Sequence, residues 1–180
     1  MNASKPKGII PIFLRIFIVM AVVLFSATAA TAQTHRGEKT FGIKAGYVSK
    51  NQSAIAGLVF EYSFSRHFRI APQLGVVVRH NDRDAFTAAV DTHYPIALGS
   101  EKIDFYPMVG LGFNSWTQHY KDELTENVDV LTRYNRLGLN VGGGFDFRPS
   151  KTLKVRLEYR YTLNDSFSHS EITAGIAYVF

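Results

Sequence analysis

The chain ends on Ile172-Thr173-Ala174-Gly175-Ile176-Ala177-Tyr178-Val179-Phe180, a stretch in which every second residue is apolar. Successive side chains of a β-strand point to opposite faces, so the pattern gives one apolar face and one mixed face. Such a strand, closing on an aromatic residue, is typical of a membrane β-barrel, where one face meets lipid and the other lines the lumen.

The first 32 residues differ in composition from the rest. They carry Lys5, Lys7 and Arg15 but no acidic residue, followed by an apolar run over residues 16–25 and by small residues up to Ala32. This order predicts a secretory signal peptide, residues 1–32, that is cleaved before Gln33. An uncleaved membrane anchor is the alternative, but the apolar run is shorter than the roughly 20 residues of a spanning helix.

Charge and cysteine content narrow the functional classes. Without residues 1–32 the chain has 17 basic and 15 acidic residues, a net charge of +2 rather than the +5 of the full sequence. So small an excess gives no reason to expect a nucleic-acid partner. The sequence has no cysteine, which excludes disulfides, thiolate metal sites and a lipid-modified cysteine anchor.

Alternation with a period of two recurs along the rest of the chain and predicts strands. We place them near residues 40–48, 54–64, 68–79, 89–98, 102–116, 130–147, 152–163 and 170–180. Eight strands without helical periodicity predict an all-β fold, an eight-stranded antiparallel up-and-down transmembrane β-barrel. The predicted domain comprises residues 40–180, preceded by an N-terminal segment, residues 33–39.

The predicted connectors alternate in length. Those after the second, fourth and sixth strands are short, whereas residues 80–87 and 117–129 form longer polar connectors. Outer-membrane barrels have tight periplasmic turns and longer external loops. The alternation therefore predicts a barrel whose N-terminus lies in the periplasm.

Charged residues and glycines share one face of the predicted strands. Ten of the eleven strand glycines lie in register with the charges, and only Gly143 lies opposite. The interior of an eight-stranded barrel is narrow and crowded, so this face is predicted to line the lumen, and the apolar face to contact outer-membrane lipid. The predicted lumen charge network consists of Lys44, Glu61, Arg69, Asp104, Asp146, Arg156, Glu158 and Arg160.

With the strands placed, residues 40–180 resemble the outer-membrane β-barrel family of small porin-like proteins of Gram-negative bacteria. The resemblance is carried by residues 60–68, by Tyr94-Pro95-Ile96-Ala97-Leu98, by residues 106–112 and by residues 174–180. It implies that Phe180 acts as the signal read by the barrel-assembly machinery.

Aromatic residues and prolines have notable positions in the predicted strands. Aromatic residues cluster near the strand ends, as in the girdles at the two membrane interfaces. Pro72, Pro95 and Pro107 lie within strands although proline cannot donate to a ladder, so we expect bulges or ladder gaps there.

Several functional alternatives remain open. The lumen charges favour a salt-bridged plug over an ion-selective pore, because side chains fill so narrow a barrel. A secreted lipocalin-like barrel around an apolar ligand has the same alternation with the faces exchanged. A lipid-modifying barrel enzyme is suggested by His169-Ser170-Glu171, but adjacent strand residues point to opposite faces.

We therefore expect no catalytic residues, and we expect no cofactor or metal site. His80, Asp82 and Asp84 are interpreted as a solvated loop rather than a cation site. The best candidate for contact with an extracellular partner is the connector with Tyr120, Lys121, Asp122, Glu123 and Glu126, because loops on a rigid scaffold commonly carry recognition.

Overall fold

The computed structural model describes residues 36–99, 102–121, 129–164 and 167–180. The predicted signal peptide lies outside the described residues and stays a prediction. Nine strands are present in the described part: β1 (Lys39–Val48), β2 (Ser53–Ser65), β3 (Phe68–His80), β4 (Arg83–His93), β5 (Ile96–Ala97), β6 (Ile103–Lys121), β7 (Asp129–Phe147), β8 (Leu153–Leu163) and β9 (His169–Val179).

The strands form one closed antiparallel barrel. Each pairs with its neighbour in the chain, and β1 pairs with β9 from Thr40↔Val179 to Val48↔Glu171, which closes the sheet. Both β4 and the two-residue β5 pair with β6, so together they occupy a single position in the wall. The predicted eight-stranded all-β barrel is confirmed.

The expected ladder gaps occur at the prolines. The β4–β6 ladder stops at His93↔Met108 and resumes as β5–β6 at Ile96↔Phe105, so Pro95 and Pro107 both lie in one interruption. A backbone hydrogen bond from Tyr94 N to Pro107 O, 3.1 Å long, crosses this interruption. On β3, the ladder to β2 lacks partners at Pro72 but keeps its register on both sides. Proline removes the N–H that each missing bond would need.

The predicted long connector at residues 80–87 is wrong. The chain turns within Asn81-Asp82, whose φ angles are 50° and 55°, and β4 begins at Arg83 rather than near residue 89. Asn and Asp tolerate this left-handed region better than most residues, which permits the tight turn. Residues 83–87 continue the ladder with β3 and β6, but the polar residues Arg83, Asp84 and Thr87 interrupt the apolar alternation that marks a lipid-facing strand.

The connector predicted at residues 117–129 is also shorter than expected. β6 runs to Lys121 and β7 starts at Asp129, and the two pair over their whole length. The remaining connector, residues 122–128, lies outside the described residues. Short and long connectors therefore do not alternate regularly. Both ends of the described chain, Arg36 and Phe180, nevertheless lie at the same end of the barrel, where Phe180 N donates to Lys39 O at 2.9 Å.

The two faces of the wall follow the predicted alternation. Apolar residues on the outer face are exposed, for example Ile43, Leu74, Leu111, Leu157 and Ile176. Ile96 was expected on this face but is only 8% exposed. It lies in β5 beside the proline interruption, where the wall departs from regular pairing.

Aromatic side chains of the outer face gather at the end that holds both chain ends. Phe64 lies between Tyr62 and Phe68, with ring centroids 4.6 and 5.9 Å away, and Tyr178 stacks on Phe180 at 6.2 Å. This band is the position of an interfacial aromatic girdle. In the described part of the chain no helix has the length and apolar character needed to cross a membrane.

Candidate functional site: the lumen of the barrel

All eight residues of the predicted lumen charge network are buried inside the barrel. They lie at alternate positions of β1, β2, β3, β6, β7 and β8, because only every second side chain of a strand points inward. Seven of them form ion pairs with one another or with Asp91, Lys154 and Glu171. The eighth, Asp104, lies apart from this network.

The first group of ion pairs connects opposite parts of the wall. Arg69 Nη1 on β3 donates to Asp146 Oδ2 on β7 at 2.8 Å, across two intervening barrel strands. Arg156 Nε donates to Asp146 Oδ1 at 2.8 Å. Glu61 on β2 pairs with Arg156 and Lys154 of β8, again across two strands. Each carboxylate therefore faces more than one cation.

A second group lies farther along the lumen and is centred on Arg160. Its Nη2 is 3.0 Å from Asp91 Oδ2 and 2.8 Å from Glu158 Oε1, and its Nη1 is 3.4 Å from Glu171 Oε2. Lys44 Nζ lies 3.8 Å from Glu158 Oε1. The Arg160–Asp91 pair joins β8 to β4 and so also spans the lumen.

Tyr106 connects the two groups and was missed by the sequence analysis as a lumen residue. Its ring stacks on His93 with centroids 4.5 Å apart, and the guanidinium groups of Arg69 and Arg156 lie 4.9 and 5.0 Å from its centre. Its hydroxyl donates to Glu158 Oε2 at 2.9 Å. The sequence did contain a signal for this position. Tyr106 is two residues from Asp104 on β6, and residues two apart on a strand point to the same face.

The charges of the two groups balance. Five carboxylates and five cations belong to them, namely Glu61, Asp91, Asp146, Glu158 and Glu171 with Lys44, Arg69, Lys154, Arg156 and Arg160. Buried charges are tolerated when they are paired and hydrogen-bonded. The lumen therefore has little net charge to attract one sign of ion.

Asp104 lies at the end of the lumen that is close to both chain ends. Its Oδ2 is 3.7 Å from Arg148 Nε, and its carboxylate has no hydrogen-bond partner among the described residues. Arg148 instead donates to Glu38 at 2.9 and 3.0 Å. Burial alone would lower the pKa of Arg148, but its hydrogen bonds to Glu38 and the negative charge there raise it above the ordinary value. Arg148 thus ties the segment before β1 across this mouth.

The other end of the lumen is apolar, which the sequence analysis did not predict. Val48, Ile55, Val77, Ala85 and Trp116 form a buried cluster with Tyr134 and Phe167 packed against it. Phe167, between β8 and β9, has its ring centroid 6.2 Å from that of Trp116 and 6.2 Å from that of Tyr134. Phe167, a residue outside the strands, therefore packs over this mouth.

The histidine and serine that suggested an enzyme lie on opposite faces. His169 is buried, with Nε2 3.2 Å from Glu171 Oε1. Ser170 points outward, where its Oγ is 3.3 Å from the Tyr159 hydroxyl. Of the other possible metal ligands, Asp84 contacts His119 at 2.6 Å and Asp82 contacts Arg79 at 3.2 Å. Within the described ranges no group of three or more acidic, histidine or cysteine side chains could hold a metal ion.

The candidate extracellular contact surface can be placed only in part. Tyr120 and Lys121 end β6, whereas Asp122, Glu123 and Glu126 lie outside the described residues. Phe180 is 59% exposed on the outer face, directly beside the seam between β1 and β9.

A closed barrel with a lipid-exposed apolar wall and a charged lumen agrees with the comparison to known families. Residues 17–180 match the model of the outer membrane protein beta-barrel domain. The chain belongs to that family. This outer-membrane barrel is therefore located in the outer membrane and embedded in its lipid, and the soluble lipocalin-like alternative is not favoured.

Solved structures share the fold of this outer-membrane barrel. The N-terminal β-barrel domain of Pseudomonas aeruginosa OprF matches with a TM-score of 0.66 and 12% identity, covering 82% of this chain and 100% of that one. A major outer membrane protein of Thermus thermophilus matches with a TM-score of 0.63 and 14% identity over 81% and 100% of the two chains. Neisserial surface protein A matches with a TM-score of 0.62 and 14% identity over 79% and 96%.

At these identities the likeness extends to the fold alone. No curated protein sequence is significantly similar to the chain. The role of this outer-membrane barrel must therefore be argued from its own lumen and surface.

Proposed function

We propose that this protein is a closed, non-catalytic outer-membrane barrel that serves as a rigid structural support for segments exposed at the cell surface. The observation that carries the proposal is the set of ion pairs that cross the lumen, above all Arg69–Asp146 and Arg160–Asp91. An eight-stranded interior is just wide enough for side chains to fill it, so pairs that span it leave little room for a hydrated ion.

A second layer supports the same proposal. The apolar cluster around Trp116 lies at one end of the lumen. The two groups of ion pairs lie between this cluster and the end that holds both chain ends. Ions would need to pass an apolar constriction and then a region whose charges are already paired. A minor porin-like role would require both layers to open.

The experiment is a conductance measurement on the purified barrel in planar bilayers. The matched control is a larger outer-membrane porin inserted under the same conditions, which shows that insertion is detectable. We expect insertion of the protein, verified by its heat-dependent gel mobility, without steady conductance. Large, long-lived open levels would overturn the proposal in favour of a porin-like function.

The absence of catalysis is part of the proposal. A serine nucleophile must lie within hydrogen-bond reach of its base, whereas Ser170 and His169 point to opposite sides of the wall. The carboxylates of the two ion-pair groups are engaged by cations in the lumen. A lipid acyl-transfer or hydrolysis assay with the folded protein tests this, and turnover abolished by Ser170→Ala would contradict it.

Export and assembly complete the proposal. Residues 1–32 have the composition of a signal peptide, and sequencing the mature N-terminus tests whether it begins at Gln33. Phe180 is exposed beside the barrel seam, which supports a role as the signal for the barrel-assembly machinery. Tyr120, Lys121, Asp122, Glu123 and Glu126 stay the proposed contact surface for an extracellular partner.

A further inference from the structure

The end of the barrel that holds both chain ends carries exposed positive charge. We call its exposed cations the periplasmic rim, because a chain delivered from the inner membrane leaves its ends on that side and even-stranded barrels keep both there. The rim consists of Arg36, Lys39, Arg66, Lys102 and Lys151. Among the described residues at this end, the acidic side chains Glu38, Glu61, Asp104 and Asp146 are all buried.

The opposite end has a different charge pattern. There Arg79 pairs with the exposed Asp82 at 3.2 Å, and Asp84 contacts His119 at 2.6 Å. Cations and carboxylates are thus interspersed on that side. Exposed Lys50 and Arg133 lie at that end as well, so the periplasmic rim differs in having no exposed acidic side chain among the described residues.

A cavity of about 790 Å³ lies within the rim. Its lining combines one carboxylate, Glu38, with four cations and the apolar end of β9: Arg36, Lys102, Arg148, Lys151, Val179 and Phe180. Arg148 and Glu38 pair with each other, so their charges cancel within the lining. The rest of the lining offers positive charge beside an apolar surface, which is the combination that a phospholipid requires.

The depth of the cavity relative to the membrane follows from the aromatic band. Phe64, Phe68, Tyr178 and Phe180 are exposed on the outer face at this end. Aromatic rings of this kind lie at the level of the lipid headgroups. The cations of the rim, which lie in the adjoining turns and strand ends, are therefore at the height of the lipid phosphates.

We propose that the periplasmic rim binds the headgroup of an anionic phospholipid of the inner leaflet. The phosphate lies against Arg36, Lys102 and Lys151, and an acyl chain follows Phe180 into the membrane. A basic side chain near an anionic bilayer surface gains roughly a five-fold factor in affinity for that surface. A soluble anionic protein is disfavoured as the occupant, because the cations adjoin the aromatic band that lipid already surrounds.

The first experiment compares lipid binding by three forms of the folded barrel. The rim variant is Arg36→Gln/Lys102→Gln/Lys151→Gln. The control is Lys50→Gln/Arg79→Gln/Arg133→Gln, which removes the same charge from exposed positions at the opposite end. Native mass spectrometry from a neutral detergent measures the affinity for phosphatidylglycerol and for phosphatidylethanolamine with identical acyl chains. Heat-dependent gel mobility verifies folding.

We expect the wild type and the control variant to prefer phosphatidylglycerol. The rim variant should lose most of this preference, because it lacks the three cations that hold the phosphate. Equal losses in both variants would mean that binding follows net charge alone, and would overturn the proposal. Equal affinity of the wild type for both lipids would also overturn it and would favour a partner other than lipid.

A second experiment locates the bound lipid and does not depend on the stability of the rim variant. Because the sequence has no cysteine, Ser150→Cys at the cavity and Lys50→Cys at the opposite end can each carry one fluorophore. Nitroxide-labelled phosphatidylglycerol should quench the label at position 150 more than nitroxide-labelled phosphatidylcholine does, with no such difference at position 50. The same quenching ratio at both positions would contradict the proposed site.

Discussion

At the scale of single residues, the lumen depends on carboxylates that each serve several cations. Asp146 accepts hydrogen bonds from Arg69 at 2.8 Å and from Arg156 at 2.8 and 3.1 Å. Tyr106 adds an aromatic face to both guanidinium groups, and such contacts stabilise cations removed from water. Removing one carboxylate therefore affects more of the network than a single pair.

We expect Asp146→Asn to lower the free energy of unfolding by about 3–5 kcal/mol, because it leaves buried positive charge without its partner. Urea unfolding of the barrel in lipid vesicles measures this. Asp82→Asn is the control, since Asp82 is an exposed turn residue paired with Arg79 and surface pairs contribute at most about 1 kcal/mol. Similar losses for the two variants would contradict the interpretation of the lumen.

Phe180 is the other residue with a specific prediction. Its side chain is exposed at the barrel seam. Replacing it should therefore have little effect on the stability of the folded barrel and a larger effect on the efficiency of its assembly in cells. We expect Phe180→Ala to reduce the amount of folded barrel in the outer membrane of cells while the purified variant still folds in detergent. Phe68→Ala, another exposed aromatic residue of the same end, serves as the control. An equal reduction for both variants would argue against a signal at the last residue.

At the scale of elements, the strands carry two kinds of outer surface. β8 presents an unbroken apolar and aromatic row from Leu153 to Tyr161 to lipid. In the C-terminal part of β6, by contrast, the outward-facing side chains are the polar residues Ser115 and Thr117. Ser115 Oγ donates to Asn135 Oδ1 of β7 at 2.8 Å. The change from apolar to polar within β6 marks where the wall leaves the membrane.

We expect Leu157→Arg to destabilise the barrel by about 2–4 kcal/mol, because Leu157 lies in the middle of the apolar row and a charge at the bilayer midplane is costly. Thr117→Arg introduces the same side chain on the polar part of β6 and should have a much smaller effect. Equilibrium unfolding in vesicles compares them. If both variants are equally stable, the row on β8 does not face hydrocarbon.

At the scale of the whole molecule, two different layers close the lumen in series. The apolar cluster of Trp116 and Phe167 lies at one end, and the pairs of Arg160 and Arg69 follow toward the other. We expect Trp116→Ala/Phe167→Ala to stay non-conducting in planar bilayers, because the ion pairs still cross the lumen. Steady conductance in this double variant would show that the apolar layer alone closes the barrel.

Local alternation predicted which face most strand residues occupy, but it missed the start of β4 and the position of Tyr106. Exposure of Leu157 and burial of Glu158 follow from alternation, which is a local property. The start of β4 at Arg83 was missed because polar residues outside lipid need not alternate with apolar ones. Tyr106 was missed because an aromatic residue suits either face of a strand, and only its neighbours identify the face.

The sequence by itself determined the barrel class, its two faces and the membrane location, because these follow from the period of two along a strand. It also determined the position of the proline gaps, because proline has no N–H to donate. Only the tertiary structure decided that Arg69 meets Asp146 and Arg160 meets Asp91, and that Phe167 covers the lumen. These partners are far apart in the chain, and strand register and barrel closure set the distances between them. Whether the lumen is closed is therefore a property of the assembled barrel rather than of any strand.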